Sequence, residues 1–85
     1  MKYPFETREH GPAGTYVLGQ VLVFINVDHR KWYVAVKVIG WKHQYRAEGG
    51  RWGMPQETKN TEAIAAASAL IDALRPELTG GEQGE

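Results

Sequence analysis

Apolar and polar positions alternate between Tyr16 and Asp28, which is typical of a β-strand with one face on a core. Apart from Gly19, the odd positions form an aliphatic row, and the even positions are mixed. That row consists of Val17, Val21, Val23, Ile25 and Val27. Gly19 is expected to mark a bulge or a bend within the strand.

A second alternating segment, residues 32–39, follows a polar turn over Asp28–Lys31. Its apolar row is Trp32, Val34, Val36 and Val38, and its other face holds Tyr33, Ala35, Lys37 and Ile39. Gly40 either bends this strand or separates it from a third strand over residues 41–47. Glu48-Gly49-Gly50 predicts a hairpin turn, because glycine accepts positive φ. Residues 51–54 would then form a short last strand that Pro55 ends.

The clearest helix signal lies between residues 60 and 75. Asn60 or Thr61 is a suitable N-cap, and Glu62 stands in the first turn, where the helix dipole favours an acid. One apolar stripe at helical spacing comprises Ile64, Ala67, Leu70, Ile71 and Leu74. Pro76 cannot continue a helix, so the helix is predicted to end near Arg75.

These elements predict a two-layer α+β domain. Its antiparallel sheet of three to four strands is followed by one helix packed on one face. Residues 1–15 are expected to form an irregular N-terminal arm, pinned to the body by Tyr3 and Phe5. Residues 16–76 form the single domain, and residues 77–85 form a flexible, acidic, glycine-rich tail.

The chain has 85 residues and no cysteine. A domain of this size buries only about 60–65% of its unfolded surface and has little room for an enclosed catalytic cavity. Without cysteine it has neither a disulfide nor a thiolate metal site. It contains no apolar run of membrane-spanning length and no signal-peptide pattern, so a soluble cytoplasmic protein with no membrane contact is expected.

The formal net charge is zero, but the charge is distributed unevenly along the chain. Residues 29–56 carry six basic side chains against Glu48, a net charge of +5, whereas residues 57–85 carry a net charge of −4. The neutral total argues against strong non-specific binding of nucleic acid. The basic block still allows a localised site.

Candidate catalytic groups are sparse. Ser68 lies within the helix without a nucleophile elbow, and the three histidines share no metal-ligand spacing. Asp28 and His29 are adjacent on a turn, so their side chains converge only if the turn redirects them. The glycines of residues 49–53 lack the spacing of a phosphate-binding loop. The chain is therefore predicted to be non-enzymatic, with no metal and no cofactor.

Basic and aromatic residues between positions 30 and 52 favour a binding surface. Cations interleaved with aromatic rings suit phosphate contact together with base stacking or groove contact. If Lys37 aligns with Lys42 and Arg46, one exposed patch results, to which Tyr33 and Phe24 belong. The candidate binding residues are Arg30, Lys31, Tyr33, Lys37, Lys42, Tyr45, Arg46, Arg51 and Trp52. The alternative is that the aromatic rings close the core and the cations only solvate the outer face of the sheet.

The outer face of the helix carries few charges. It comprises Glu62, Ala65, Ala66, Ala69, Asp72 and Ala73. This face is either an ordinary alanine-rich surface or a close-packing contact for a protein partner or a second copy, which would make a homodimer.

From Trp32 to Leu74 the predicted order of strands and alanine-rich helix resembles the C-terminal part of double-stranded-RNA-binding domains. Within it, TEAIAAASALIDAL is similar to their closing helix. The order also resembles the three-strand-plus-helix DNA-binding domains of the AP2 and integrase-arm type, whose sheet enters the major groove. That second resemblance implies that the DNA-reading residues are Lys37, Lys42, Arg46, Arg51 and Trp52.

In size and character the chain is also similar to small phage or mobile-element proteins that inhibit a host defence or nucleic-acid-handling protein. Such inhibitors are short, cysteine-poor and often α+β, and they act by occupying surfaces. The expected partner is therefore either nucleic acid or a protein that handles nucleic acid.

Overall fold

The computed structural model describes residues 3–83, and the side chains of residues 3–74. In chain order it contains a 3-10 helix at Pro4–Thr7, strands β1 (Gly14–Leu18), β2 (Val21–Val27), β3 (Trp32–Val38) and β4 (Tyr45–Gly49), and helix α1 (Gln56–Gln83). The four strands form one antiparallel sheet in the order β1-β2-β3-β4. Helix α1 packs on one face of that sheet, which confirms the predicted two-layer α+β fold. The described residues include no helix long and apolar enough to cross a bilayer.

The core lies between α1 and the facing side of the sheet. The apolar row predicted for β3, from Trp32 to Val38, is buried there as expected. The side chains of Tyr3 and Phe5 pack beside it. The Phe5 ring stacks on Tyr3 at 5.4 Å and meets the Tyr16 ring edge-on at 5.3 Å. The N-terminal arm therefore closes one part of the core, and it contains a 3-10 helix that the sequence pattern did not indicate.

The prediction of one strand over residues 16–28 is wrong, because a two-residue turn at Gly19-Gln20 divides it into β1 and β2. Leu18 pairs with Val21 across that turn. Gly19 has a φ of 63°, and no described non-glycine residue has a positive φ. Glycine at the first central position is characteristic of the type II′ hairpin turn. The turn also changes which positions face the core, so Val17 is 63% exposed while its neighbour Tyr16 is buried.

The predicted hairpin at Glu48-Gly49-Gly50 and the strand over residues 51–54 are also wrong. Gly49 is the last residue of β4 and pairs with Trp32. A Cβ atom on Gly49 would lie 2.6 Å from Cζ2 of Trp32, and Gly50 has a φ of 87°. The two glycines therefore admit the Trp32 indole against the backbone, and the chain leaves the sheet after them.

Helix α1 begins four residues before the predicted cap and ends at Gln83 rather than near Arg75. At its start, the amide of Lys59 bonds to the carbonyl of Pro55 at 3.1 Å, so Lys59 already lies inside the helix. Pro76 is accommodated within α1, although it removes the hydrogen bond that its position would donate to residue 72. Residues 77–83 of the predicted tail are helical, and residues 84–85 lie outside the described chain.

Candidate functional site

The side of the sheet away from α1 is not covered by another described element, and we call it the open face. It is formed by Thr15, Val17, Leu22, Phe24, Asn26, Tyr33, Ala35, Lys37, Arg46 and Glu48. Phe24 pairs with Ala35, and Ala35 pairs with Arg46, so these three side chains form one row across three strands. Ala35 is only 8% exposed, so the larger side chains around it cover it.

An aromatic pair occupies the open face. The rings of Phe24 and Tyr33 meet edge-on with centroids 6.2 Å apart, and Phe24 remains 40% exposed. Lys37 pairs with Leu22, and Arg46 lies at the end of the Phe24 row. The predicted combination of Tyr33, Lys37 and Arg46 on one face is therefore present, and Phe24 belongs to it.

The acid on this face is paired. Lys31 Nζ lies 2.8 Å from Glu48 Oε1, and both side chains are exposed. That hydrogen bond holds the pKa of Glu48 below its usual range and raises the pKa of Lys31. A shallow open depression of about 400 Å³ is lined by Tyr33, Arg46, Ala47 and Glu48 along β4. Arg46 is the exposed cation there that makes no described ion pair.

Two of the predicted binding residues lie elsewhere. Residues 41–44 form a loop rather than a strand, so Lys42 is in the connection between β3 and β4 and not on the open face. Tyr45 pairs with Val36 on the side that faces α1, where it packs against the core. Its ring also stacks on His43 at 6.0 Å. The single patch that joined Lys42 to Lys37 and Arg46 is therefore wrong, because it required a strand at residues 41–44.

A second group of predicted residues lies at the other end of the sheet, where the β2–β3 turn meets the segment after β4. The Trp52 side chain is 73% exposed. The His29 ring meets its indole edge-on at 5.6 Å, and the guanidinium carbon of Arg30 lies over it at 5.9 Å. We call His29, Arg30 and Trp52 the Trp52 cluster. Strand β3 has seven residues, so this cluster lies roughly 20 Å from the Lys42 loop.

The backbone presents Trp52 at the corner of a turn. The amide of Met54 donates to the carbonyl of Arg51 at 3.1 Å, which closes a four-residue turn. Gly53, the third residue of that turn, has a φ of 92°, as a type II turn requires. Arg51 precedes Trp52 and is exposed beside it.

The β2–β3 turn that carries Arg30 is fixed from both sides. The Asp28 carboxylate accepts the backbone amides of Lys31 and Arg30, each at 2.8 Å, and these bonds lower the pKa of Asp28. The Asp28 carbonyl accepts a hydrogen bond of 2.6 Å from Lys59 Nζ. Lys59 is only 1% exposed and reaches the turn from α1. Sequence reasoning missed Lys59, although its position four residues before the buried Ala63 places it on the buried stripe.

Two acids predicted on the outer face of the helix are engaged with the rest of the fold. The Trp32 indole nitrogen donates to Glu62 Oε1 at 2.9 Å, and the Tyr3 hydroxyl donates to Asp72 Oδ1 at 3.0 Å. Ala66 packs against the core. The exposed part of that face is therefore narrower than expected and comprises Ala65, Ala69, Asp72 and Ala73. A homodimer through it stays a prediction.

The groups considered for catalysis do not converge. The Asp28 carboxylate bonds to backbone amides, while the His29 ring rests on Trp52. The Ser68 hydroxyl lies 3.4 Å from Glu6 Oε2. Within the described part of the chain, no three histidine, aspartate or glutamate side chains gather as metal ligands would.

Comparison with protein families, with curated proteins and with solved structures finds no match to this chain. The resemblances to double-stranded-RNA-binding, AP2-type and phage inhibitor proteins therefore stay predictions. The range from Trp32 to Leu74 contains two strands, β3 and β4, followed by α1, rather than the three strands expected.

Proposed function

We propose that this domain binds nucleic acid through the open face of its sheet. The observation that carries the proposal is the edge-on pair of the exposed Phe24 and the half-buried Tyr33, on the same face as the cations Lys37 and Arg46. Aromatic rings on a sheet offer surfaces on which bases stack, and cations at the margin contact phosphates.

The charges on the open face suit contact with a small number of phosphates. Glu48 forms a salt bridge with Lys31 and attracts Arg46 only at longer range, so Lys37 and Arg46 are the two cations of the open face without a described salt bridge. Two phosphate contacts give a logarithmic salt dependence of affinity of about −1.4 for a single strand and about −1.8 for B-form DNA. A zero net charge adds little non-specific attraction beyond that.

Fluorescence anisotropy with labelled single-stranded and duplex oligonucleotides, over a range of salt concentrations, tests the proposal. Replacing Lys37 and Arg46 together by alanine is expected to weaken binding and to remove this part of its salt dependence, because both phosphate contacts of the open face are lost. Lys42→Ala is the matched control, since it removes an exposed cation outside the open face. If the double variant and the control lower the affinity for the oligonucleotide equally, binding depends on non-specific electrostatic attraction and the proposal is wrong.

A protein partner is the second candidate, and exposed apolar side chains favour it. Val17 pairs with Leu22 on the open face, and Ile39 is exposed at the same end of the sheet. A phage or mobile-element inhibitor would bury such a surface on a host nucleic-acid-handling or defence protein. Co-purification from a cognate lysate that survives nuclease treatment and is lost with Val17→Asp would support this candidate. Recovery that disappears with nuclease would support the first.

A further inference from the structure

Trp52 makes no contribution to the core, and it is the most exposed of the large apolar side chains in the described part of the chain. The other two tryptophans are used by the fold: Trp32 is buried, and Trp41 packs partly against the core. An indole exposed on a small domain leaves a large apolar surface in water. Because the Trp52 side chain adds nothing to the core, a role in binding explains its exposed position better than a role in folding.

The Trp52 cluster is held in place before any ligand arrives. The Arg51–Met54 turn sets the position of the indole, and Gly50 lies so close to Lys31 that an added Cβ would be 3.1 Å from its Cα atom. On the other side of the cluster, hydrogen bonds of Asp28 and Lys59 fix the β2–β3 turn that carries Arg30. A preorganised aromatic surface loses less conformational entropy on binding than a mobile one.

The chemistry of the cluster favours a flat, negatively charged ligand. Arg30 lies over the indole, and Arg51, the residue before Trp52 in the chain, is an exposed second cation. Among the nearby carboxylates, Glu48 is paired with Lys31, and the ammonium of Lys59 offsets part of the negative charge of Asp28. Four basic side chains, Arg30, Lys31, Arg51 and Lys59, therefore face two carboxylates, Asp28 and Glu48, in this part of the chain. The excess positive charge around an aromatic ring matches a nucleobase that carries its phosphate.

We propose that the Trp52 cluster is a second contact site for nucleic acid and that it stacks on an unpaired base of a single strand. This inference rests on the proposed function of the open face, and it specifies the strand type. Bases inside a duplex are covered on both faces by their neighbours, so an indole finds no free base there. Single strands offer base faces that aromatic side chains cover.

Intrinsic fluorescence and affinity together test this site on the full chain. The probes are a 15-nucleotide oligothymidylate, its duplex with oligoadenylate, and polyglutamate as a purely acidic competitor. Oligothymidylate is expected to quench the exposed indole, and the duplex to bind more weakly without quenching. Trp52→Ala should weaken binding of the single strand about 5- to 150-fold, the range for loss of one stacked base. Trp52→Phe should retain most of the affinity, and Trp41→Phe should retain both affinity and quenching.

The outcomes separate this inference from the proposed function. If the open-face double variant loses binding while Trp52→Ala binds the single strand normally, the second site is wrong and the open face stands. Equal affinity for duplex and single strand would likewise overturn the stacking contact. If neither oligonucleotide binds the wild-type chain, both proposals fail. Displacement of the oligonucleotide by polyglutamate, in wild type and in Trp52→Ala alike, would reduce the site to a simple charge contact and overturn it.

Discussion

Replacing Gly49 by alanine distinguishes two explanations of the Gly49-Gly50 pair. If the glycines served a hairpin turn, the identity of residue 32 would not matter. In the structure Gly49 belongs to β4, and an added Cβ would lie 2.6 Å from Cζ2 and 3.1 Å from the indole nitrogen of Trp32. The conflict is steric, because the φ of Gly49 is not in the positive range.

The magnitude follows from how far the indole must move. An ordinary contact begins at 3.4 Å, so the ring would have to withdraw by roughly 0.8 Å from a Cβ placed at 2.6 Å. Such a shift would stretch the 2.9 Å hydrogen bond from Trp32 to Glu62 beyond the usual range. Overpacking of this kind costs about 1–3 kcal/mol, and loss of a hydrogen bond to a charged acceptor places the expected value near the upper end.

The assay is a double-mutant cycle measured by urea and thermal unfolding. Gly49→Ala should lower Tm by about 4–8 °C for each kcal/mol lost, as expected for a domain of this length. Trp32→Phe removes the conflicting atoms, so Gly49→Ala should cost at least about 1 kcal/mol less in that background. If Gly49→Ala is equally destabilising beside Trp32 and beside Phe at that position, the close approach of the indole is not the reason for the glycine.

Two further predictions concern the turn that carries Arg30. Lys59→Met keeps an apolar stem of similar length but removes the donor to Asp28, so the free energy of unfolding should fall by about 1.5–3 kcal/mol. The control Lys42→Met, at an exposed site, should change the free energy of unfolding little. An unaltered denaturation midpoint for Lys59→Met would contradict the role of the ammonium group. The pKa of Asp28 is lowered in the folded state, so its carboxylate stabilises the fold at pH values above the usual pKa near 3.8. This contribution disappears as the pH falls through the lower pKa of the folded state. Protection of the Lys31 amide, measured as its exchange rate relative to the intrinsic rate at the same pH, should therefore decrease in acid, and Asp28→Ala should remove that dependence. An identical loss of protection in the variant would assign the effect to another group.

The strand and helix segments whose apolar residues recur at a regular spacing could be predicted from the sequence. The alternation after Trp32 gave β3 with its buried and outward faces, and the spacing from Ala67 to Leu74 gave the buried stripe of α1. The start of α1 was missed because Asn60 and Thr61 are both suitable N-caps, which left Lys59 outside the predicted helix. Its stem is buried and its ammonium reaches the Asp28 carbonyl, and this partner is 31 residues away in the chain.

The β1–β2 hairpin was missed for a different reason. Aliphatic residues occupy odd positions on both sides of Gly19, so the pattern alone favours one strand with a bulge or bend at the glycine. A two-residue turn reverses the chain without breaking that pattern, and it exchanges the faces of the two halves. The consequence for the site is direct: Val17 moves from the predicted core to the open face beside Leu22.

The basic and aromatic block between residues 29 and 52 illustrates the limit on predicting the site. Its composition indicates binding, but its members are distributed over the open face, the loop after β3 and the Trp52 cluster. Trp32 could be assigned to the core from a local signal, because it opens a valine-rich alternation. The turn that exposes Trp52 was missed, since residues 51–54 were predicted as a strand. The contact between Arg30 and Trp52 could not be predicted from the sequence. It exists only because β3 and β4 pair and bring the two turns to the same end of the sheet.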